Sequence, residues 1–419
     1  MGKGGGSPPF LNREISMTRK EPDDWWREGV ARGQHKLADT LRLLVLKTAP
    51  ALFDQLDFDD DEIFLDPLLF AYFTDPAPEQ SLTHLLCSRI LPECRPAVFR
   101  LRCDADGRVY LPGIGEWCIA GAGREVELSI DTTSASFSWQ VDGRPMPVEW
   151  RTPDLIPGTA IEVMRSSHSL FRRFFVDEAG VPAAIETAKA SADHIPHLQR
   201  ACILLRQYCP DLWSAIAATT RRFVLYRSSV PNSFATLSAH GAIFCNVTTA
   251  IDEVFFLEDV AHQAGHVLFN ALTLEKERFF MVDPLMPFGG DSYEAVEVRT
   301  LYAAVHGLFT YTTIGEALSA CYERTAFAPA RKSHELLGRL GLILRKFESD
   351  LSLLDRPELY SNDGKRCWRY FTNVYRRLHN RYGAQTSLFD YSNQPYVFSY
   401  PLFAEQNPRL PVLSTEEAA

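Results

Sequence analysis

The stretch Glu258-Asp-Val-Ala-His-Gln-Ala-Gly-His-Val-Leu-Phe269 decides how the rest of the chain is interpreted. It carries two histidines, His262 and His266, four residues apart within an apolar run that has helical spacing. Residues i and i+4 lie on the same face of an α-helix, one above the other. The sequence therefore predicts a helix that presents two imidazoles to one metal ion.

The His-x-x-x-His arrangement on a helix is typical of zincins, in which the residue after the first histidine is a glutamate that acts as general base. Gln263 stands at that position here. An amide cannot accept a proton from a metal-bound water. The pattern predicts a metal site that retains its histidines and has lost the hydrolytic base, with Gln263 in another role at the catalytic centre.

A metal bound by two histidines needs at least one further protein ligand. We predict a second long helix at about residues 293–313. At about 100° per residue, Arg299 and His306 project within about 20° of each other, and Tyr302 shares their face. Glu297 points to the opposite side, so an unbroken helix cannot present both Glu297 and His306. This geometry favours His306 as the third ligand, while a carboxylate ligand stays open.

Arg299 lies about 10 Å from His306 along the predicted helix axis. That separation suits a dicarboxylate that chelates the metal at one end and forms a bidentate pair with the guanidinium at the other. The description fits 2-oxoglutarate in a non-haem iron oxygenase, with Arg299 and Tyr302 beside the co-substrate. Alternatively, Arg299 closes a buried ion pair with Glu294 or Glu258, and the histidines are hydrogen-bonded core residues.

The chain resembles the HExxH-motif peptide-modification proteins, which occur with ribosomal peptide natural-product clusters and are regarded as 2-oxoglutarate-dependent iron oxygenases. The resemblance covers about residues 185–380 in order and spacing. The matching segments are residues 226–234, 241–246, 257–272 and 298–309.

This resemblance implies Fe(II), 2-oxoglutarate and O₂, with hydroxylation at the β-carbon of a residue in a ribosomal peptide or of a carrier-linked amino acid. It implies that His262, His266 and His306 hold iron and that Arg299 binds the distal carboxylate of 2-oxoglutarate. Gln263 departs from the family's glutamate. Because an oxygenase needs no deprotonated water, Gln263 is compatible with a hydrogen-bonding role beside the ligands.

Two other functions stay open at the sequence level. One is a zincin-like metallohydrolase in which Glu294 or Glu258 replaces the missing base. The other is a non-catalytic peptide-binding protein with a degenerate site. Other oxidation outcomes, an altered activity and the identity of the peptide also stay open.

The sequence predicts an α+β fold. Its main part is a predominantly helical, zincin-like metal-binding domain, accompanied by an N-terminal helical segment and a small antiparallel β-rich module. Turn signals between residues 98 and 163 separate short alternating segments, which indicates hairpins. This module is a candidate for docking a leader peptide by strand addition. The expected segments are a disordered tail (1–22), the helical segment (23–97), the β-rich module (98–175), the metal-binding domain (176–390) and an irregular tail (391–419).

Composition narrows the choice of partners. The net charge of −10 comes from 43 basic and 53 acidic residues spread along the chain. Without a Lys/Arg-rich block, nucleic acid is not an expected partner. No apolar run reaches the length of a membrane span, and no signal peptide is evident. The nine scattered cysteines predict reduced thiols in a cytoplasmic protein. The sequence does not define the oligomeric state.

Overall fold

The computed structural model describes residues 24–119, 121–131, 136–146, 148–177, 179–230, 232–248, 251–288, 299–324, 327 and 330–409. The predicted tail at residues 1–22 and residues 293–298 of the predicted second helix lie outside the described residues. The protein is about 55% helical with small antiparallel sheets, which confirms a mostly helical α+β fold. None of the described helices combines the length and apolar character needed to cross a membrane.

The chain forms two compact units. The first unit comprises Met1–Val30, Arg200–Ile216 and Asp252–Ala419, and the second comprises Ala31–Gln199 and Ala217–Ile251. The five-segment division expected from the sequence stays a prediction.

Short helices with clear start signals follow the long first helix, α1 (Trp25–Thr48). The Asp60 side chain caps α3, and that of Asp66 caps α4 directly before a proline at the first helical position. Ser81 caps α5. Each side chain accepts a hydrogen bond from a backbone N–H that the helix leaves unpaired. α2 (Pro50–Phe53) begins with a proline and has no side-chain cap. The capped helices are α3 (Asp61–Phe64), α4 (Pro67–Thr74) and α5 (Leu82–Leu86).

The predicted hairpins form two small antiparallel sheets. One has the order β1-β4-β5-β6 and the other the order β2-β3-β7. Buried residues alternate along β1, β2 and β3, because one face of each of these strands packs inward. The strands are β1 (Phe99–Arg102), β2 (Arg108–Leu111), β3 (Gly115–Cys118), β4 (Glu125–Asp131), β5 (Ser136–Val141), β6 (Arg144–Met146) and β7 (Glu149–Arg151).

A third sheet, with the order β11-β10-β9-β8, is partly parallel. β8 (Asp154–Leu155) is antiparallel to β9 (Glu162–Met164), whereas β9, β10 (Arg222–Tyr226) and β11 (Ala242–Asn246) run parallel. Every residue of β10 is buried, as expected for a parallel strand covered on both faces.

A buried ion-pair group lies at the start of β10. Arg222 donates to both carboxylate oxygens of Asp66, at 2.5 and 2.8 Å, and to Glu162 at 3.3 Å. These contacts join α4 to the third sheet and compensate the buried guanidinium charge.

α6 (Ala188–Tyr208) continues through Pro196. Before α6, residues 182 and 186 form isolated bridges to Val176 and Arg227. α7 (Pro210–Thr219) follows.

Long helices dominate the C-terminal part of the chain. They are α8 (Glu253–Leu272), α9 (Leu301–Arg324), α10 (Ala330–Leu354) and α11 (Asn362–Thr386), followed by the short α12 (Tyr400–Gln406). The two-residue strands β12 (Pro287–Phe288) and β13 (Arg299–Thr300) pair antiparallel between α8 and α9.

Candidate metal centre

α8 carries the first two candidate ligands. It begins after Asp252, whose side chain accepts a hydrogen bond from Val254 N at 2.9 Å. Glu258 and Asp259 therefore lie in the second turn of α8. His262 and His266 are partly buried on one side of α8, while its apolar residues face the core.

Gly265 brings α9 close to α8. A Cβ at this position would lie 2.6 Å from Thr313 Oγ1 and 3.3 Å from the Thr310 Cα. Thr313 Oγ1 also donates a hydrogen bond of 2.8 Å to the carbonyl of Ala261. Because glycine has no side chain to separate the helices, α9 can place its own residues beside His266.

The predicted start of the second helix is wrong. α9 begins at Leu301, and Arg299 lies in β13. The N–H groups of Leu301 and Tyr302 donate to Met286 O and Pro284 O, and Ala303 N donates to Thr300 Oγ1. These bonds satisfy the first donors of α9. The helical angle between Arg299 and His306 therefore does not apply.

The three candidate histidines come together as a chain of rings. His266 Nδ1 lies 3.0 Å from His306 Nε2, and His266 Nε2 lies 3.2 Å from His262 Nε2. The ring centroid of His266 is 4.9 Å from that of His262 and 4.6 Å from that of His306. The structure thus joins two helices through consecutive imidazole contacts.

This chain of rings differs from a converged ligand set. His266 directs different nitrogens at its two neighbours, and one metal ion cannot use both nitrogens of a ring. Accordingly, within the described ranges, no group of three or more His, Cys, Asp or Glu side chains has a metal-binding arrangement. A half-turn of the His266 ring about its Cβ–Cγ bond exchanges the positions of Nε2 and Cε1, which brings Nε2 between His262 and His306.

The donor atoms fit a divalent transition metal in kind. Two ligands of a tetrahedral ion at about 2.0–2.1 Å are separated by about 3.3 Å, and in the present ring orientation His262 Nε2 and His266 Nε2 are 3.2 Å apart. Imidazole nitrogen suits zinc, iron, copper and nickel.

The three imidazoles are neutral near pH 7. Burial lowers the pKa of His262 to about 4, with a contribution from the charge of Lys346. Burial also lowers the pKa of His266 to about 3, and it holds the pKa of His306 well below its ordinary value. A metal ligand must offer a neutral imidazole, so no proton has to be displaced from these rings.

Gln263 lies away from the ring chain. Its side chain is buried and donates to Asp259 Oδ1 at 3.4 Å, one turn earlier on α8. Its carbonyl oxygen has no hydrogen-bond partner among the described residues. Gln263 therefore belongs to the buried face of α8 and has no hydrogen bond to the three histidines.

Arg299 is held by a carboxylate on α10. Its NH1 and NH2 donate to the two oxygens of Asp350 at 3.0 and 2.8 Å. This bidentate bond raises the pKa of the guanidinium. NH1 of Arg299 also lies 3.9 Å from where a Cβ on Gly307 would be, directly after His306. The structure thus places Arg299 next to α9 with Asp350 as its ion-pair partner, whereas Glu258 pairs with Arg339. Glu294 lies outside the described residues.

Tyr302 lies beside the third histidine. Its ring centroid is 5.5 Å from that of His306, and Lys276 Nζ lies 4.7 Å from the centre of the Tyr302 ring. Its hydroxyl lies 2.9 Å from Thr273 Oγ1 and 3.3 Å from Asn270 Oδ1. Burial raises the pKa of Tyr302 to about 12, so the hydroxyl keeps its proton.

Sequence reasoning missed several residues of this centre. Phe269 stacks against His306 with ring centroids 4.7 Å apart, and Asp350 reaches Arg299 from α10. Phe269 follows His262 at i+7, so the helical period alone could have found it. No sequence pattern could have identified Asp350, because its ion pair with Arg299 joins residues that are distant in the sequence.

Comparison with known proteins provides no family assignment: no family model matches the chain, and no curated protein matches it either.

Proposed function

We propose that the protein is a metal-dependent oxygenase that uses Fe(II), 2-oxoglutarate and O₂ to hydroxylate a residue of a peptide or a carrier-linked amino acid, at the β-carbon. The main supporting observation is that three neutral imidazoles from α8 and α9 are in contact. His266 Nδ1 lies 3.0 Å from His306 Nε2, and His266 Nε2 lies 3.2 Å from His262 Nε2. Among the described residues, Phe269 and Tyr302 pack on the His306 ring, and the charges of Lys346 and Lys276 act on His262 and His306.

In this proposal His262, His266 and His306 hold the metal in a zincin-like helix arrangement. Fe(II) with 2-oxoglutarate and O₂ supplies the oxidising power for cleaving a C–H bond. The chain's own residues bind and orient the reactants. Phe269 and Tyr302 pack on the His306 ring and limit its rotation, which supports a fixed ligand orientation.

The position of Gln263 supports an oxygenase over a hydrolase. A zincin hydrolase needs a base beside the metal-bound water. Gln263 is bonded to Asp259 in the core, and Glu258 is bonded to Arg339 Nη1 at 2.7 Å. Neither side chain is available as that base, and the other candidate, Glu294, lies outside the described residues.

Arg299 retains binding capacity for the co-substrate. A guanidinium has five N–H donors, of which Asp350 engages two. The remaining donors can bind a second carboxylate, although Asp350 offsets part of the positive charge. We therefore propose that Arg299 binds the distal carboxylate of 2-oxoglutarate through its remaining donors, with an affinity that the negative charge of Asp350 lowers.

A second candidate function has one specific observation in its favour. His266 directs its two nitrogens at different neighbours, which is the arrangement of a hydrogen-bonded core cluster rather than a metal site. This favours a non-catalytic peptide-binding protein with a degenerate site.

Anaerobic titration with Fe(II) and then 2-oxoglutarate separates the two functions. Chelation of Fe(II) by 2-oxoglutarate produces a weak visible charge-transfer band. We expect the band in the wild type, its loss in His306→Ala and a higher dissociation constant for 2-oxoglutarate in Arg299→Ala. Asp350→Asn should lower that dissociation constant, because the negative charge of Asp350 is removed.

His379→Ala is the matched control. His379 is also a partly buried helical histidine of the first unit, and its ring contacts Tyr375 on α11. The control should keep the band. Absence of the band in folded, metal-loaded wild type would rule out the 2-oxoglutarate assignment, and absence of metal binding would favour the degenerate site.

A further inference from the structure

We infer that the surface loop at residues 281–286 is a docking site for a peptide segment that carries apolar side chains next to a basic residue. The identification of that peptide as the substrate rests on the function proposed above. The docking site itself rests on the exposure, the backbone contacts and the charge of the loop.

Three large apolar side chains of the loop are exposed. The exposed fractions are 68% for Met281, 36% for Val282 and 62% for Leu285. Pro287, directly after the loop, is exposed as well. Single exposed apolar side chains are ordinary on a protein surface, whereas a contiguous group of them marks an interaction site. Methionine adapts its shape to a partner, which suits a surface that receives an apolar peptide segment.

Backbone hydrogen bonds hold the loop at both ends. Met281 N donates to Leu359 O at 2.8 Å, and Leu301 N donates to Met286 O at 3.0 Å. Within the loop, Leu285 N donates to the Asp283 carboxylate at 2.9 Å. The apolar side chains therefore project from an ordered backbone, which reduces the entropy lost when a partner binds.

The loop is continuous with the candidate metal centre. Tyr302 N donates to Pro284 O at 2.8 Å, and the Tyr302 ring centroid lies 5.5 Å from that of His306. Tyr302 and His306 are about 6 Å apart along the axis of α9. An extended peptide advances about 3.3–3.6 Å per residue. A peptide anchored on the loop therefore reaches the histidines with a residue about two to three positions from its anchor.

The charge around the loop favours a basic residue in the peptide. Glu277 and Asp283 are exposed, and neither forms an ion pair among the described residues. Arg278 is paired with two carboxylates, Glu275 at 3.6 Å and Asp363 at 3.0 Å. Carboxylates thus outnumber cations beside the apolar side chains, and a lysine or arginine in the partner complements them.

Methionine methyl groups test the site in the metal-free full-length protein, without turnover. The chain has six methionines, of which Met281 and Met286 belong to the loop, whereas Met146 and Met164 belong to the second unit. The protein is labelled with ¹³C at these methyl groups and titrated with the peptide acetyl-Gly-Leu-Leu-Lys-Gly-amide. We expect saturable NMR shifts of the two loop methyls and none of the other two. The peptide with Glu in place of Lys should bind about threefold more weakly or worse at low salt.

Leu285→Ser should weaken binding of the lysine peptide by about fivefold or more, because it removes apolar contact area. Leu388→Ser is the matched control. Leu388 is 55% exposed and lies beyond the opposite end of α11 from Leu359, so this variant should bind like the wild type. Met281→Ser repeats the test, with Met286 as reporter, if Leu285→Ser misfolds.

The absence of a saturable shift in the folded wild type, or equal affinity in Leu285→Ser, overturns the docking site. Loop methyl shifts that appear on concentrating the protein alone also overturn it, because they show that a second copy of the chain covers the loop. If the peptide binds but Fe(II) and 2-oxoglutarate give no charge-transfer band, the docking site stands and the proposed function fails. If the band forms and the peptide does not bind, the function stands and the docking site fails.

Discussion

Gln263 has a different role in the structure from the one that its position in the sequence motif suggests. In the sequence it marks the position of a missing general base. In the structure it is a buried side chain that donates to Asp259 at 3.4 Å. An amide is better suited to this position than a carboxylate, because an amide can donate to Asp259.

Gln263→Glu should therefore destabilise the protein rather than create a hydrolase. A glutamate would place a second carboxylate one turn from Asp259 in the core. We expect a loss of about 1–3 kcal/mol in the free energy of unfolding at pH 7, measured by urea denaturation. The loss should shrink at pH 5, where the buried glutamate binds a proton.

Gln207→Glu is the control for that experiment. Gln207 is exposed on α6, and a surface substitution usually changes stability by less than about 0.5 kcal/mol. Unchanged stability of Gln263→Glu at pH 7, or zinc-dependent peptidase activity in it, would show that residue 263 reaches the metal site.

The histidines were predictable from the sequence at the residue scale, whereas the partner of Arg299 was not. His262 and His266 share a face because they are four residues apart, and the structure brings His306 to them. Asp350 belongs to α10 and contacts Arg299 only through tertiary packing. No local pattern connects these two residues.

At the scale of elements, the start of α9 was the main error. The helical pattern suggested a helix from residue 293, but Thr300 caps α9 and the segment at residues 284–286 accepts its first N–H groups. Threonine is a preferred N-cap residue, so the sequence contained a local signal for the later start. Tyr302, His306 and Thr313 still share the face toward α8, because all three lie within α9.

The contact between α8 and α10 had no sequence signal. Arg339 donates to Glu258 at 2.7 Å and to Glu335 at 2.8 Å, and Arg339 and Glu335 are almost fully buried. Removing one partner of such a group leaves an uncompensated buried charge. The i,i+4 spacing of Glu335 and Arg339 is visible in the sequence, but their third partner lies on another helix.

At the scale of the whole molecule, composition and periodicity predicted a mostly helical α+β protein with small sheets, and this is confirmed. They could not predict the division into two units, because each unit is formed by segments that are separated in the sequence. The parallel pairing of β9, β10 and β11 was missed for the same reason, since it joins strands far apart in sequence.

Three of the buried histidines in the second unit make stability depend on pH. Burial lowers the pKa of His84 to about 4 and the pKa values of His168 and His240 to about 3. The unfolded chain binds protons at these groups below about pH 6.5, whereas the folded chain does not. Stability should therefore fall as the pH decreases from about 6.5 toward 4.

The expected loss is about 2 kcal/mol per histidine between pH 7 and pH 5. Urea denaturation followed by circular dichroism at both pH values measures it. His240→Phe should lose less stability over this interval than the wild type, because one proton-binding group is absent from its unfolded state. A wild-type stability that is equal or higher at pH 5 would show that these imidazoles are protonated in the fold.

Metal binding by the three histidines tests the central claim most directly. Equilibrium dialysis of the folded apo-protein under reducing conditions, against Fe(II), Co(II) or Zn(II), gives the stoichiometry and the dissociation constant. We expect one metal ion per chain in the wild type. His262→Ala, His266→Ala and His306→Ala should each weaken metal binding by about 100-fold, because each removes one of the three proposed ligands. His379→Ala should bind like the wild type. Absence of bound metal in the folded wild type, or equal affinity in His306→Ala, would contradict the account and leave three hydrogen-bonded core histidines.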